Sequence, residues 1–268
     1  MANVPVHDYF VVNGELKSTI EFKPNENDGG IYEVVRVIQG FPLFLKEHLE
    51  RLFISAKIAN KSIKFSETEI GQFLIKLIDA NNTEDGNIFI SYQNNLNIFF
   101  IAHKYPTIDL YKNGIYCGIL KAERENPNAK VIQTTVRQKA DKIMTRKGYY
   151  EVLLMDHKNR ITEGSRSNVF FIRNNVIITP PGNEVLLGIT RKKAIFLSAK
   201  MGCKLKEADV FFDDLKTFQA AFITGTSPQF LPIKQIDGLS YDPQNKIVQQ
   251  LIEDYNKLIY STESRELL

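Results

Sequence analysis

Cysteine is almost absent. Only Cys117 and Cys203 occur in 268 residues, far apart, so the sequence offers neither a disulfide framework nor a thiolate metal site, and both read as reduced thiols. Histidine is nearly as scarce. His7, His48, His103 and His157 are not spaced as a metal-binding pair, and no metal site is expected. Charge of one sign is not in excess either: 34 lysines and arginines face 31 aspartates and glutamates. That balance argues against a basic module for nucleic acid. No run of about 18 uninterrupted apolar residues appears, so no membrane span is expected. Residues 1–9 hold no apolar run behind basic residues, so no signal peptide is expected and the cytoplasm is the expected location. No internal repeat and no low-complexity tract are visible.

What remains is an ordinary soluble composition, 43% hydrophobic and 24% charged, in a length that fits one large domain or two of ordinary size. The pattern along the chain predicts two α+β domains, 1–108 and 109–268, joined near residues 104–114. Tyr9–Val12 and Leu16–Glu21 flank Asn13-Gly14, a dipeptide suited to a two-residue hairpin turn. Tyr32–Ile38 reads as a strand, and Lys46–Ile58 as a helix with Leu49, Leu52, Phe53 and Ala56 on one face. Ser66 and Glu69 form a capping-box signature ahead of a helix running to about Ala80. Asn87–Tyr92 and Leu96–Ala102 read as a second hairpin. After the connector come a strand over 115–120, a helix over 134–146, a strand over 149–155, and a hairpin of 169–172 with 176–179. A helix is expected from Thr190 to Met201-Gly202, where glycine suits the C-terminal cap. Strands near 204–208, 219–224 and 230–236 precede a last helix, about 243–260.

Three segments stand out chemically. Ile161-Thr162-Glu163-Gly164-Ser165-Arg166-Ser167-Asn168 places a carboxylate, hydroxyls and an amide just before a very apolar strand. Leu186-Leu187-Gly188-Ile189-Thr190-Arg191 sits at an expected helix start, where unpaired backbone N–H groups favour phosphate, although Thr190 would serve as an N-cap regardless. Ile223-Thr224-Gly225-Thr226-Ser227 ends an apolar strand with hydroxyls and a glycine. Each segment alone also reads as a turn.

Together they resemble the fold-type IV pyridoxal-phosphate enzymes, the class IV aminotransferases, which include branched-chain and D-amino-acid aminotransferases and 4-amino-4-deoxychorismate lyase. The resemblance covers nearly the whole chain. It runs from Val11-Val12-Asn13-Gly14 and Tyr32-Glu33-Val34-Val35-Arg36 through His48-Leu49-Glu50-Arg51-Leu52 to the three segments above. It implies a small N-terminal α/β sandwich and a larger C-terminal cofactor domain with a β-barrel-like core. It also implies pyridoxal 5'-phosphate as cofactor and a homodimer.

By the same resemblance Arg51 holds the cofactor phosphate and Glu163 partners the ring nitrogen. Ser167, Asn168, Leu186, Gly188, Ile189, Thr190, Gly225 and Thr226 are implied as further cofactor contacts. The Schiff-base lysine follows from the family's spacing. Counting back 18 positions from Gly148 gives Lys130, 33 residues before Glu163. Lys139, Lys142 and Lys147 compete but fall in or at the end of an expected helix. Tyr32 and Arg166 are candidate substrate contacts, and Arg36, Arg137 and His103 are further candidates for a substrate carboxylate.

The chain departs from the family's habits in three places. A glycine-rich stretch is reduced to Asn27-Asp28-Gly29-Gly30. Val131-Ile132-Gln133-Thr134 follows the lysine in place of Asn with Tyr or Leu. No Arg-x-His pair precedes the connector, which argues against a D-amino-acid aminotransferase of the usual kind. The expected function is transfer of an amino group within an amino acid/2-keto acid pair. The alternatives are the lyase, which eliminates pyruvate, and a cofactor-binding protein that has lost its chemistry.

Overall fold

The computed structural model describes residues 4–24, 30–132 and 134–265. Residues 1–3, Asn27-Asp28-Gly29 and Gln133 lie outside those described. Two compact units can be told apart. The first comprises Met1–Lys104, Ala129–Ile132 and Leu258–Leu268, and the second Tyr105–Asn128 and Gln133–Lys257. No described helix is long and apolar enough to cross a membrane.

The first unit is built on a sheet of order β2-β1-β6-β5-β3-β4. Its strands are β1 (Tyr9–Val12), β2 (Glu15–Ser18), β3 (Ile31–Ile38), β4 (Phe41–Pro42), β5 (Gly86–Tyr92) and β6 (Leu96–Ile101). Asn13 and Gly14 turn β1 into β2 with φ of 50° and 87°, the left-handed values that a tight hairpin needs. β2 is shorter than the sequence suggests. Ser18 accepts a hydrogen bond from the Ile20 N–H and opens a 3-10 turn over Thr19–Glu21.

Period-two alternation divides the sheet's faces. Val11, Ile31, Val35, Val37, Ile88, Ile90, Ile98 and Phe100 share a core with α1 (Leu45–Ile58) and α2 (Glu67–Asn81). On the other face Phe10, Tyr32, Phe89 and Phe99 pack together. The Ser66–Glu69 capping box is formed as expected. α1 begins differently: Phe44 precedes it at φ 52° with no side-chain cap, and its N–H donates to the Ser264 carbonyl at 2.9 Å.

The second unit holds a curled ten-stranded sheet, the β-barrel-like core, whose main path runs β12-β11-β10-β14-β15-β7-β8-β9-β13. Its strands are β7 (Ile115–Lys121), β8 (Glu151–Met155), β9 (Arg160–Gly164), β10 (Asn168–Arg173) and β11 (Val176–Thr179). They continue as β12 (Lys204–Glu207), β13 (Val210–Phe211), β14 (Ala220–Gly225), β15 (Gln229–Ile236) and β16 (Leu239–Ser240), the last pairing with β15. The helices are α3 (Ile108–Asn113), α4 (Thr134–Lys147), α5 (Ile189–Lys200) and α6 (Lys246–Ile259). The chain is therefore α+β in two units. Two readings change. The expected connector contains α3, and Glu163 lies within strand β9 rather than in a turn.

Candidate active site

In the first unit the chemistry starts from an exception to the alternation. Glu33 occupies an inward position of β3, in step with Ile31, Val35 and Val37, and is fully buried. A carboxylate there is costly unless charged donors meet it. α1 supplies them one helical turn apart. Arg51 donates from Nε to Oε1 and from Nη2 to Oε2 of Glu33, each at 2.7 Å. Such a fork fixes the plane of a guanidinium. His48 Nδ1 lies 2.9 Å from Oε2, so His48 is a structural neighbour in this network. Burial pushes the Glu33 carboxyl up, but the Arg51 charge and the hydrogen bonds from Arg51 and His48 outweigh it and hold it far below the usual carboxylate range. His48 is shifted down, mainly by burial and against the pull of Glu33.

Lys130 belongs to this unit, although its place in sequence suggested the C-terminal domain. It lies in an extended segment held by its backbone. Its N–H donates to Ser55 Oγ of α1 at 3.0 Å, and its carbonyl accepts from the Tyr32 N–H at 3.0 Å. Val131 bridges antiparallel to Ile31, and the Ile132 N–H donates to the Gly30 carbonyl at 2.8 Å. Lys130 Nζ stands 4.6 Å from the centre of the Tyr32 ring, within cation–π range. Tyr32 is buried and stacks on Phe89. Lys139, Lys142 and Lys147 are exposed on α4.

The second unit gathers the remaining expected residues. Glu163 is buried on β9. Arg124 Nε stands 3.1 Å from its Oε1, and the Leu186 N–H donates to its Oε2 at 3.2 Å. The chain from Ser165 to Ser167 is shaped by a second buried carboxylate, Glu151. Glu151 accepts from the Ser165 hydroxyl at 2.6 Å and N–H at 3.1 Å, the Arg166 N–H at 3.2 Å and the Ser167 hydroxyl at 2.9 Å. The Ser167 hydroxyl is therefore committed to Glu151. The Arg166 side chain is half exposed and pairs with Asp141 on α4.

Asn168 donates from Nδ2 to the Leu186 carbonyl at 2.8 Å. Its Oδ1 would lie 2.3 Å from a Cβ at residue 188, so this close approach demands Gly188. Gly188 is also the N-cap of α5 and brings no side-chain hydrogen bond. Ile189 and Thr190 follow inside the helix and are buried, which corrects the reading of Thr190 as the cap. Across the β10–β14 ladder, Asn168 faces Thr224. The Thr224 hydroxyl is buried with no hydrogen-bond partner, just ahead of Gly225 and Thr226. A helix start without a side-chain acceptor and an orphaned buried hydroxyl, both adjoining Asn168, suit a phosphate group. The residues present fit pyridoxal phosphate on that ground.

Sequence reasoning missed Glu33, Arg124 and Glu151 as partners in these networks, whereas Thr224 lay in one of the three segments that stood out. Glu33 was detectable as a charge on the apolar face of an alternating strand. Arg124 carried no signal, lying in the charged run Lys121-Ala122-Glu123-Arg124-Glu125.

Residues 30–236 match the family model described as amino-transferase class IV. A D-alanine aminotransferase from Bacillus licheniformis is 29% identical, the match covering 84% of each chain. A putative branched-chain-amino-acid aminotransferase from Methanocaldococcus jannaschii is also 29% identical, over 78% of this chain and 79% of that one. These relatives do not separate the two substrate classes. In fold, the branched-chain aminotransferase of Thermoproteus uzoniensis superposes with a TM-score of 0.86 at 22% identity, covering 96% and 97% of the two chains. A putative 4-amino-4-deoxychorismate lyase from Legionella pneumophila follows at 0.78 and 20%, covering 88% and 96%. The family match spans more than half of the chain. The chain belongs to the class IV aminotransferases, a family of pyridoxal-phosphate-dependent enzymes.

Proposed function

We propose that the chain moves an amino group between an amino acid and a 2-keto acid, with Lys130 as the lysine that carries the cofactor and Glu163 as the partner of its ring nitrogen. The observation that carries this reading is the contrast among the lysines. Lys130 is half-buried in an extended segment tied to Ser55 and Tyr32, while Lys139, Lys142 and Lys147 lie exposed on α4.

Pyridoxal phosphate supplies the electron sink that stabilises negative charge at a substrate Cα. Everything else falls to the chain. Lys130 holds the cofactor through its amine and, once released, moves a proton at the substrate Cα. Glu163 presents a buried carboxylate to the ring nitrogen. In the first unit Glu33 orients the guanidinium of Arg51, and in the second the start of α5 with Thr224 and Thr226 suits a phosphate charge. Ser167 and Asn168 act by shape, since their polar atoms tie down Glu151 and Leu186. The Tyr32 ring packs beside the lysine amine on the aromatic face of its sheet.

Mixing the loaded enzyme with a panel of amino acids, without acceptor, tests the reaction. Conversion of the cofactor to its pyridoxamine form is the expected result. No conversion with any amino acid, together with pyruvate release from aminodeoxychorismate, would replace transamination by the lyase reaction. Borohydride treatment followed by peptide mapping is expected to place the cofactor on Lys130, and a label on another lysine overturns that assignment.

A further inference from the structure

We infer that Arg124 is a positioning residue for Glu163, so that the ring-nitrogen partner in this enzyme is an ion pair rather than a carboxylate alone. The inference rests on the proposed role of Glu163 and adds to it a residue outside every motif by which the family was recognised.

The geometry is that of a tether with several anchors. Arg124 is nearly buried, its side chain 12% exposed. Its Nε lies 3.1 Å from Glu163 Oε1. Its Nη2 donates to the Ser165 carbonyl at 2.5 Å and lies 3.5 Å from the Gly164 carbonyl. One guanidinium therefore holds both the side chain of Glu163 and the backbone of the two residues that follow. The other carboxylate oxygen is held by the Leu186 N–H at 3.2 Å.

This arrangement restricts rotation about the last torsion of the glutamate, a terminal torsion that is otherwise broad. It also places a positive charge against the carboxylate that must meet a protonated ring nitrogen. Both consequences bear on how firmly that proton is held. Arginine suits the task better than lysine because its planar fork reaches a carboxylate and two carbonyls at once and cannot lose its charge.

The test uses the intact chain in four forms: wild type, Arg124→Gln, Glu163→Gln and the double variant. Two quantities are read after removal and re-addition of pyridoxal phosphate: its dissociation constant, and the position of the bound cofactor's visible absorption band. Thermal unfolding of the cofactor-free proteins checks that each variant folds. R124Q is expected to weaken cofactor binding about tenfold, the range of one charged hydrogen bond lost, and to move the band. In the E163Q background the same substitution is expected to add little to either quantity, because the two residues act as one unit.

Equal and additive effects in both backgrounds, or an unchanged band in R124Q, would overturn the role of Arg124. Arg124→Lys extends the test. It keeps the charge without the fork, and recovery of the wild-type band by lysine would show that charge alone suffices and would also sink the tether. A wild-type chain that binds no pyridoxal phosphate would instead defeat the cofactor roles proposed above.

Discussion

Glu33 shows how one side chain joins stability to the expected phosphate contact. Its burial is tolerable only because Arg51 and His48 meet it. Glu33→Gln is expected to cost about 3 kcal/mol, since it leaves a buried guanidinium without its counter-charge. Urea unfolding at neutral pH measures this. The pH dependence has a definite sign. Because the folded carboxyl is held low, its contribution is complete above the ordinary carboxylate range. It drains away as pH falls through that range toward the lower folded value. The stability gap between wild type and E33Q should thus narrow on acidification below about pH 5, and a gap constant with pH would count against the ion pair. Glu151 makes a parallel case. Glu151→Gln turns a donor toward either the Ser165 or the Ser167 hydroxyl, which bond different carboxylate oxygens, and a loss of about 2 kcal/mol is expected, accompanied by weaker cofactor retention. At this scale the sequence was only half legible. Glu163 and Asn168 stood in a recognisable motif. Arg124 and Glu151 did not, because what joins them to the motif is strand pairing and loop closure, and no spacing along the chain encodes those.

Among the elements, the start of α5 carries the most. Gly188 is required for the close pass of Asn168 and not for its backbone angle, which is an ordinary −61°. Gly188→Ala should push the Asn168 amide away and weaken pyridoxal-phosphate binding about tenfold, read by equilibrium titration. The same change should cost about 1–3 kcal/mol of stability, the range for extra volume forced into a packed site, because a Cβ there meets Asn168 Oδ1 at 2.3 Å. A stability loss without a change in cofactor affinity would argue that this helix start holds no phosphate. Helices and hairpins were the legible part of the fold, because capping boxes, Asn-Gly turns and period-two alternation are local signals. α3 was not visible, as six residues hold too few apolar positions to show a period. The 3-10 turn after Ser18 was equally hidden, since it depends on one serine hydroxyl.

On the scale of the whole molecule, sequence order and structural membership part company. The first unit takes in residues 129–132 and 258–268. Both make contacts that it uses: Lys130 to Ser55 and Tyr32, and Ser264 to the uncapped start of α1 at Phe44. Removing residues 261–268 should therefore lower stability by about 1–3 kcal/mol. It should also weaken cofactor binding through α1, which carries Arg51; differential scanning calorimetry and titration read the two effects. A truncated chain with unchanged stability would show that the Phe44–Ser264 bond contributes nothing. A single cut near residue 108 was the simplest reading of the sequence, because composition marks a connector but cannot show that a later segment returns.

That return has a consequence in time. A chain made from its N-terminus at about 5–20 residues per second presents most of the first unit early but supplies Ser264 only near the end. On the order of ten seconds separate the emergence of its sheet from that of its last bonds. The unit that begins first is thus completed last. Until then the nascent protein has an unsupported helix start on a nearly finished core, a stage at which ribosome-bound chains stopped before residue 258 should be cut readily by protease near Phe44 and full-length chains should not.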